Sequence, residues 1–408
     1  ITFCNLLICN LLISQSITNT LGSSGTFTIK DGTTSYLTLS QSTGQINVLK
    51  TLRLENTTSS SVGVLYKGVD RFLHNYGTGC TFLGVNSGNF TMTGVFNTGV
   101  GTGSLSSNTT GLYNTGVGTG SLYNNTIGDY NTAVGTESLP LNTIGYYNTA
   151  LGGRSLFTNS TGVNNTATGS FSLSFNTTGS FNVAFGSLAL YSNTTSERHS
   201  AFGYQSLTNS TGERNSAFGY QSLSSNTTGV WNSAYGYQSL NMNTGGVVNS
   251  AFGYSSLFSN TTGSNNSAFG YLSLSSNTTG TNNTGIGYNA QVPSGTANNQ
   301  VRIGNTSVTY AGVQVAWTIT SDRRWKSNIL NSNLGLSFIS KLRPVSYTRN
   351  NDESGKNEYG FIAQEIEEVL KEENVENTGM LTVTDEGMYE FRYNDLLAPL
   401  VKAIQELK

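Results

Sequence analysis

Residues 249–265 read NSAFGYSSLFSNTTGSN, and the seventeen residues before them, 232–248, read NSAYGYQSLNMNTGGVV. The same pattern runs back along most of the chain. Copies open at Asn97, Asn114, Asn131, Asn148, Asn165, Asn182, His199, Asn215, Asn232, Asn249, Asn266 and Asn283, and a degenerate copy opens at Cys80. One step, His199 to Asn215, is a residue short. A fixed short period marks a solenoid-like stack, in which each copy is one rung that buries its apolar side against its neighbours.

Two positions in the copy carry the pattern. The fifth is always Gly, from Gly101 and Gly118 to Gly287, and the ninth is Leu from Leu105 to Leu274. A recurring Gly implies a backbone corner at positive φ or a close approach between rungs. The recurring Leu is expected to be the buried peg. The Asn-Thr-Thr-Gly segment reads as a turn, with Asn tolerating the left-handed region. The stretch between Gly and that turn is expected to be short and β-like, since nothing in it has a 3.6-residue period. At ~4.8 Å per rung, the stack would be a rod on the order of 60 Å long.

Charge divides the chain. Between Asn97 and Gln300 only Asp129, Glu137, Arg154, Glu197, Arg198, Glu213 and Arg214 are charged. That surface gives no electrostatic footprint for nucleic acid. From Ser321 to Lys408 there are 11 basic and 15 acidic residues, 26 of the 42 in the chain. The composition thus changes from fibrous to globular near Ser321. The expected organisation is a β-rich region over 1–79, a repeat shaft over 80–300, a β-rich neck over 301–320 and a terminal domain over 321–408. Within 1–79, TFTIKDG, SYLTLSQ and GQINVLKTLRL alternate in hydropathy and break at Gly-containing turns. Ile1–Ile13 is apolar but short, and reads as neither a membrane span nor a good signal peptide. Cys4, Cys9 and Cys80 make no disulfide framework, and His74 and His199 lie too far apart to suggest a metal site. No cofactor is expected.

A single rung offers few large apolar residues, so one thin coil would be marginal, and three chains packed about an axis would remedy that. The Asn-Ser-Ala-Phe-Gly-Tyr pattern resembles the head repeats of trimeric adhesins, which are left-handed parallel β-rolls, commonly of shorter period. The fold class expected is therefore mainly β: a repetitive 17-residue β-roll or solenoid shaft, homotrimeric, followed by a small α/β domain ending in a helix.

The segment after the shaft carries the chemistry. Ser321, Asp322 and Lys326 form a Ser-Asp-x-x-x-Lys arrangement within TSDRRWKSNI. LRPVSY (342–347), YGFIAQEIEEVL (359–370) and YNDLLAPLVKAIQELK (393–408) follow. Together, from about Arg302 to the end, they resemble the intramolecular chaperone domain at the C-terminus of phage endosialidase tailspikes and other fibres. The resemblance implies a domain that trimerises, guides the fibre before it and then cuts itself off. It further implies Ser321 as nucleophile, Lys326 as its base and the Thr320–Ser321 bond as the cleavage site. The residues alone are compatible with that chemistry. A serine hydroxyl needs a base, no His follows residue 199, and a lysine can act once its pKa is lowered from ~10.4. Arg323 and Arg324 are cations that could assist or could pair with carboxylates. The bland alternative is a helix cap at Ser321-Asp322 with Lys326 solvated; Asp322 itself reads as a capping or positioning residue.

A self-similar rod specifies its register weakly, because a one-copy slip costs only an end rung. A non-repeating trimeric end would remove that degeneracy. Leu396, Leu397, Leu400, Val401, Ile404 and Leu407 form an apolar stripe at helical spacing suited to the task, with Pro399 near its start. The functional expectation is a viral or phage-like fibre or adhesin at a virion or extracellular surface. It would meet a host glycan or protein receptor, without nucleic-acid partner or membrane insertion. The alternatives are a structural bacterial surface adhesin and an ice-binding-type solenoid, neither self-cleaving. The Tyr, Gln, Glu and Arg at variable positions spoil the flat Thr array an ice binder needs. A transcription factor would need a basic domain that is absent from this sequence. GVGTG at 99–103 recurs at 116–120 without a βαβ context, and so reads as a rung corner rather than a phosphate loop.

Overall fold

The computed structural model describes residues 26–408 except 32–33, 41–44, 50 and 377. Ile1–Ile13 lies outside the described residues. Two compact units divide at Asn56/Thr57. The first holds an antiparallel sheet of β1 (Thr26–Asp31), β2 (Thr34–Ser40) and β3 (Gln45–Val48), built on the alternating segments.

The second unit opens with β4 (Leu65–Lys67) and β5 (Asp70–His74), which pair antiparallel and lead to β6 (Thr81–Leu83). From β6 onward every copy adds one three-residue strand in parallel register, ending at Val301–Ile303 in a 16-stranded sheet. The antiparallel β4–β5 pair covers the first rung, so the parallel stack does not end there on an open edge.

The strand occupies positions two to four of each copy, as in Ser250–Phe252, before the Gly rather than after it. The expected β-like stretch after Gly is a series of tight turns. The reason is backbone handedness. The Leu pegs sit at φ of 49° to 52°, and the seventh and last positions of most copies are also left-handed, as in Gln238 and Trp231. A left-handed L-residue costs roughly 1–2 kcal/mol. Burying a Leu side chain returns about 1.5–3 kcal/mol, and every peg from Leu105 to Leu274 is fully buried. The twisted backbone also lets one rung bond both neighbours: Gly152 N–H donates to Val134 O of the rung before, and Leu156 N–H to Ser172 O of the rung after.

The fifth-position Gly satisfies both expectations for it. Its φ runs from 111° to 139° along the shaft, and a Cβ on Gly219 would lie 2.3 Å from the carbonyl oxygen of Gly236. The turn Gly is different. Gly145 has no positive φ, and is needed because a Cβ would meet Asn142 Oδ1 at 2.4 Å and Gly162 O at 2.5 Å.

Asparagine is more than a turn residue here, because it also forms buried ladders. Asn114 N–H donates to Asn97 Oδ1 at 2.9 Å, and Asn97 Nδ2 to Gly111 O at 2.8 Å. A second ladder runs through the turn asparagines, where Asn142 Nδ2 donates to Asn125 Oδ1 at 2.8 Å and to Gly145 O at 2.8 Å. The shaft interior is thus a thin Ala–Leu core beside two columns of satisfied amides, which avoids the cost of burying unpaired polar groups.

The irregular copies are substitutions in these ladders. Cys80 stands at the first Asn position, where its sulfur takes the Asn97 N–H at 3.4 Å, and burial pushes its thiol pKa up. His199 does the same with Nδ1 facing the Asn215 N–H at 3.3 Å. Its Nε2 is buried with no hydrogen-bond partner, and burial lowers its pKa to about 4. In this short copy Ser210 replaces the turn Asn, leaving Asn193 Oδ1 unpartnered as well.

After the last rung, residues 306–333 are exposed throughout. The C-terminal body then packs Leu334, Phe338, Ile366, Leu370, Met380 and Leu396 into a second core. It contains α1 (Leu336–Lys341), α2 (Ala363–Glu372), α3 (Leu397–Glu406) and two hairpins, Val345–Tyr347 with Glu358–Gly360 and Leu381–Val383 with Tyr389–Phe391. α2 buries Ile366 and Leu370 on its apolar face.

Candidate functional site

Ser321 and Lys326 meet. Lys326 Nζ donates to Ser321 Oγ at 2.7 Å. The intervening residues explain the geometry: Arg323–Trp325 form one turn of 3-10 helix, which returns the chain so that a residue five positions on faces Ser321. Asp322 caps that turn, accepting from Arg324 N–H at 2.8 Å, and its other oxygen binds the Arg324 guanidinium at 2.8 Å. These hydrogen bonds hold the Asp322 carboxyl below its ordinary value. Asp322 therefore fills a capping and positioning place. Arg324 is occupied by it and is not a free cation for Lys326.

Thr320, Ser321, Asp322 and Lys326 are all exposed, and nothing in this single chain shields the pair from water. Around them lie large apolar side chains that are also uncovered: Val315, Trp317 and Ile319 before the site, and Trp325 and Leu330 after it. Val313, Val315, Trp317 and Ile319 alternate along the sequence of the neck and are all exposed; the chain forms no strand there and bends at Gln314 and Val315.

α3 behaves the same way. Its Pro399 and Ala403 pack inward, whereas Leu397, Leu400, Val401, Ile404 and Leu407 of the apolar stripe are exposed. Pro399 stands in the first turn, where a missing N–H costs nothing.

A second group was not legible in the sequence. Asp385 N–H donates to Pro293 O at 2.7 Å, Asp385 Oδ2 accepts from Gly295 N–H at 3.1 Å, and Arg302 bonds Glu390 at 2.5 Å. These contacts seat the second hairpin of the C-terminal body on the end of the shaft. No local signal marks them, because they are ordinary acids in an acidic domain and their partners lie some ninety residues away.

Among the described residues no cluster of His, Cys, Asp or Glu could hold a metal ion, and no helix is long and apolar enough to cross a membrane.

Comparison with known families gives one result, in the region just described. Residues 321–375 match the family model Peptidase_S74, chaperone of endosialidase. The match begins at Ser321 and includes the LRPVSY and YGFIAQEIEEVL segments, while the neck and the YNDLLAPL helix lie outside it. No curated protein and no solved structure matches the chain. The matched domain and the 17-residue solenoid together fit a phage-type tail fibre or adhesin chain with a C-terminal chaperone.

Proposed function

We propose that this chain is one of three in a viral or phage-like fibre for host attachment, whose C-terminal domain aligns the three shafts and then cuts the Thr320–Ser321 bond. The observation that carries the cleavage reading is the 2.7 Å contact of Lys326 Nζ with Ser321 Oγ at the first residue of the chaperone match.

In the proposed step, neutral Lys326 takes the Ser321 hydroxyl proton as Oγ attacks the Thr320 carbonyl carbon. The Thr320–Ser321 C–N bond breaks, the proton passes to the departing Ser321 nitrogen, and an ester joins Thr320 to Oγ. Water then hydrolyses the ester, leaving a Thr320 carboxylate and restoring the Ser321 hydroxyl.

The lysine must be neutral to act as the base. Burial supplies the shift by disfavouring the charged form. The uncovered Trp317, Ile319, Trp325 and Leu330 around the pair support a site that closes when three necks come together. Cleavage would then follow assembly rather than precede it. The exposed α3 stripe supports the same three-chain reading.

The test is the mass of the purified protein. Wild type should yield two pieces of roughly 33 and 10 kDa, by residue mass, from the 43.4 kDa chain. Ser321→Ala and Lys326→Ala should each remain whole. An intact wild-type chain in fully formed three-chain particles would refute self-cleavage.

A further inference from the structure

The outer face of the shaft sheet carries an apolar column with no cover in one chain. Each rung strand buries its middle residue and turns its third outward, the fourth position of the copy. Read rung by rung, that position is apolar from Leu83 to Ile303, broken only by Thr168. It is aliphatic up to Leu151 and aromatic from Phe185 to Phe269. We infer that this fourth-position column is the face by which copies of the chain pack together along the shaft. The inference rests on the three-chain reading and adds to it which face lies inward.

Charge placement supports the choice. All seven charged residues between Asn97 and Gln300 stand at the seventh position or in the last two positions of a copy. None stands in the second, fourth or sixth column, so the strand face can be dehydrated without stranding an ion. A second aromatic column, at the end of each copy, starts with Phe96, Tyr113, Tyr130 and Tyr147 but is interrupted by Arg198 and Arg214. It cannot be buried along its length at the same cost.

Ring geometry separates a protein partner from a sugar. Phe218 and Tyr235 stack at 4.6 Å and 7°, Tyr235 and Phe252 at 4.8 Å and 4°, and Phe252 and Phe269 at 5.2 Å and 6°. A row of tyrosines in the sixth column, such as Tyr237 and Tyr254 at 4.9 Å and 5°, runs beside it. Ring faces within each row are occupied by the neighbouring rings, so only edges point outward. A sugar stacks on a face. A row of edges suits other side chains instead.

Periodicity then selects the occupant. To use every rung, a partner must present apolar groups at the rung spacing over the length of the shaft. A second copy does so by construction. Val313, Val315, Trp317 and Ile319 of the neck are uncovered apolar groups beyond the last rung, and the same assembly would bring them together as well.

The test places a photo-crosslinking residue, p-benzoylphenylalanine, at Phe218 or Tyr235 on the column and at exposed Thr228 off it, in the full chain. Two column sites guard against one variant failing to fold, and native mass measurement gives the number of chains. Irradiation should join chain to chain at Phe218 and Tyr235 at least several-fold more than at Thr228. Three-chain particles that crosslink equally at Thr228, or not at all on the column, would overturn the inference and leave the three-chain reading standing. A single-chain mass for the folded protein would overturn both.

Discussion

Leu207 in the shaft and Leu397 in α3 are both leucines read from sequence as apolar contacts, yet the first is 0 % exposed and the second 63 %. The shaft closes its interior within one chain. Each rung buries its Leu, Ala and amides against the rungs on either side, and only the outer columns remain open. The neck and α3 leave their largest apolar groups in water. Closed interior and uncovered apolar surface are therefore found largely in different parts of the molecule. The repeating part holds itself together but says little about alignment. The non-repeating part leaves apolar surface uncovered, and in the proposed three-chain assembly it is the part that would set one register.

The sharpest way to break this contrast is at glycine. Gly219→Ala puts a Cβ against the Gly236 carbonyl at a φ of 138°. It should cost more than about 4 kcal/mol and collapse the shaft transition in denaturant unfolding. Gly355→Ala in the C-terminal domain, at φ 61° with nothing within 4 Å, should cost about 1 kcal/mol. Equal costs would mean that rung spacing is not the constraint.

Leucine gives the next effect. Leu223→Ala should destabilise the shaft by about 2–5 kcal/mol through the cavity it leaves. Leu397→Ala should change the stability of a single chain by less than about 0.5 kcal/mol. It should instead lower the fraction of three-chain particles seen by sedimentation. A Leu397→Ala protein that unfolds early but assembles normally would reverse the assignment.

The fault at His199 gives a pH effect. Its folded pKa is about 4 against an ordinary 6.5. Below pH 6.5 the unfolded chain binds a proton that the folded chain does not, so stability falls as pH drops. The loss should reach about 3 kcal/mol by pH 4. Burial also lowers the pKa of His74, which acts in the same direction. His199→Asn should remove most of this slope and raise stability at pH 5 by restoring the amide ladder, measured as thermal unfolding against pH.

The sequence showed the rung, its peg and its corner because these recur as single residue types, Leu at the ninth position and Gly at the fifth. It misplaced the strand because nothing in a Leu signals a left-handed backbone; the next rung's hydrogen bonds and the buried peg impose that conformation. It took Asn and turn Gly for local conformational choices only, when both also meet the neighbouring rung, which one copy read alone does not contain. At the candidate site, the cap at Asp322 and the nearness of Ser321 to Lys326 were legible because they lie within six residues, whereas the roles of nucleophile and base came only from the resemblance of the surrounding motifs. The seating of Asp385 on Gly295 and Pro293, and of Glu390 on Arg302, was not, because folding brings them together from distant segments.

The central claim is that the shaft depends on the C-terminal domain for its alignment. It is tested most directly by native mass measurement of chains made with and without residues 321–408. The chain that includes residues 321–408 should give uniform three-chain particles. The chain ending at Thr320 should give single chains and mixed, out-of-step assemblies. Uniform three-chain particles from the shortened chain would contradict the account.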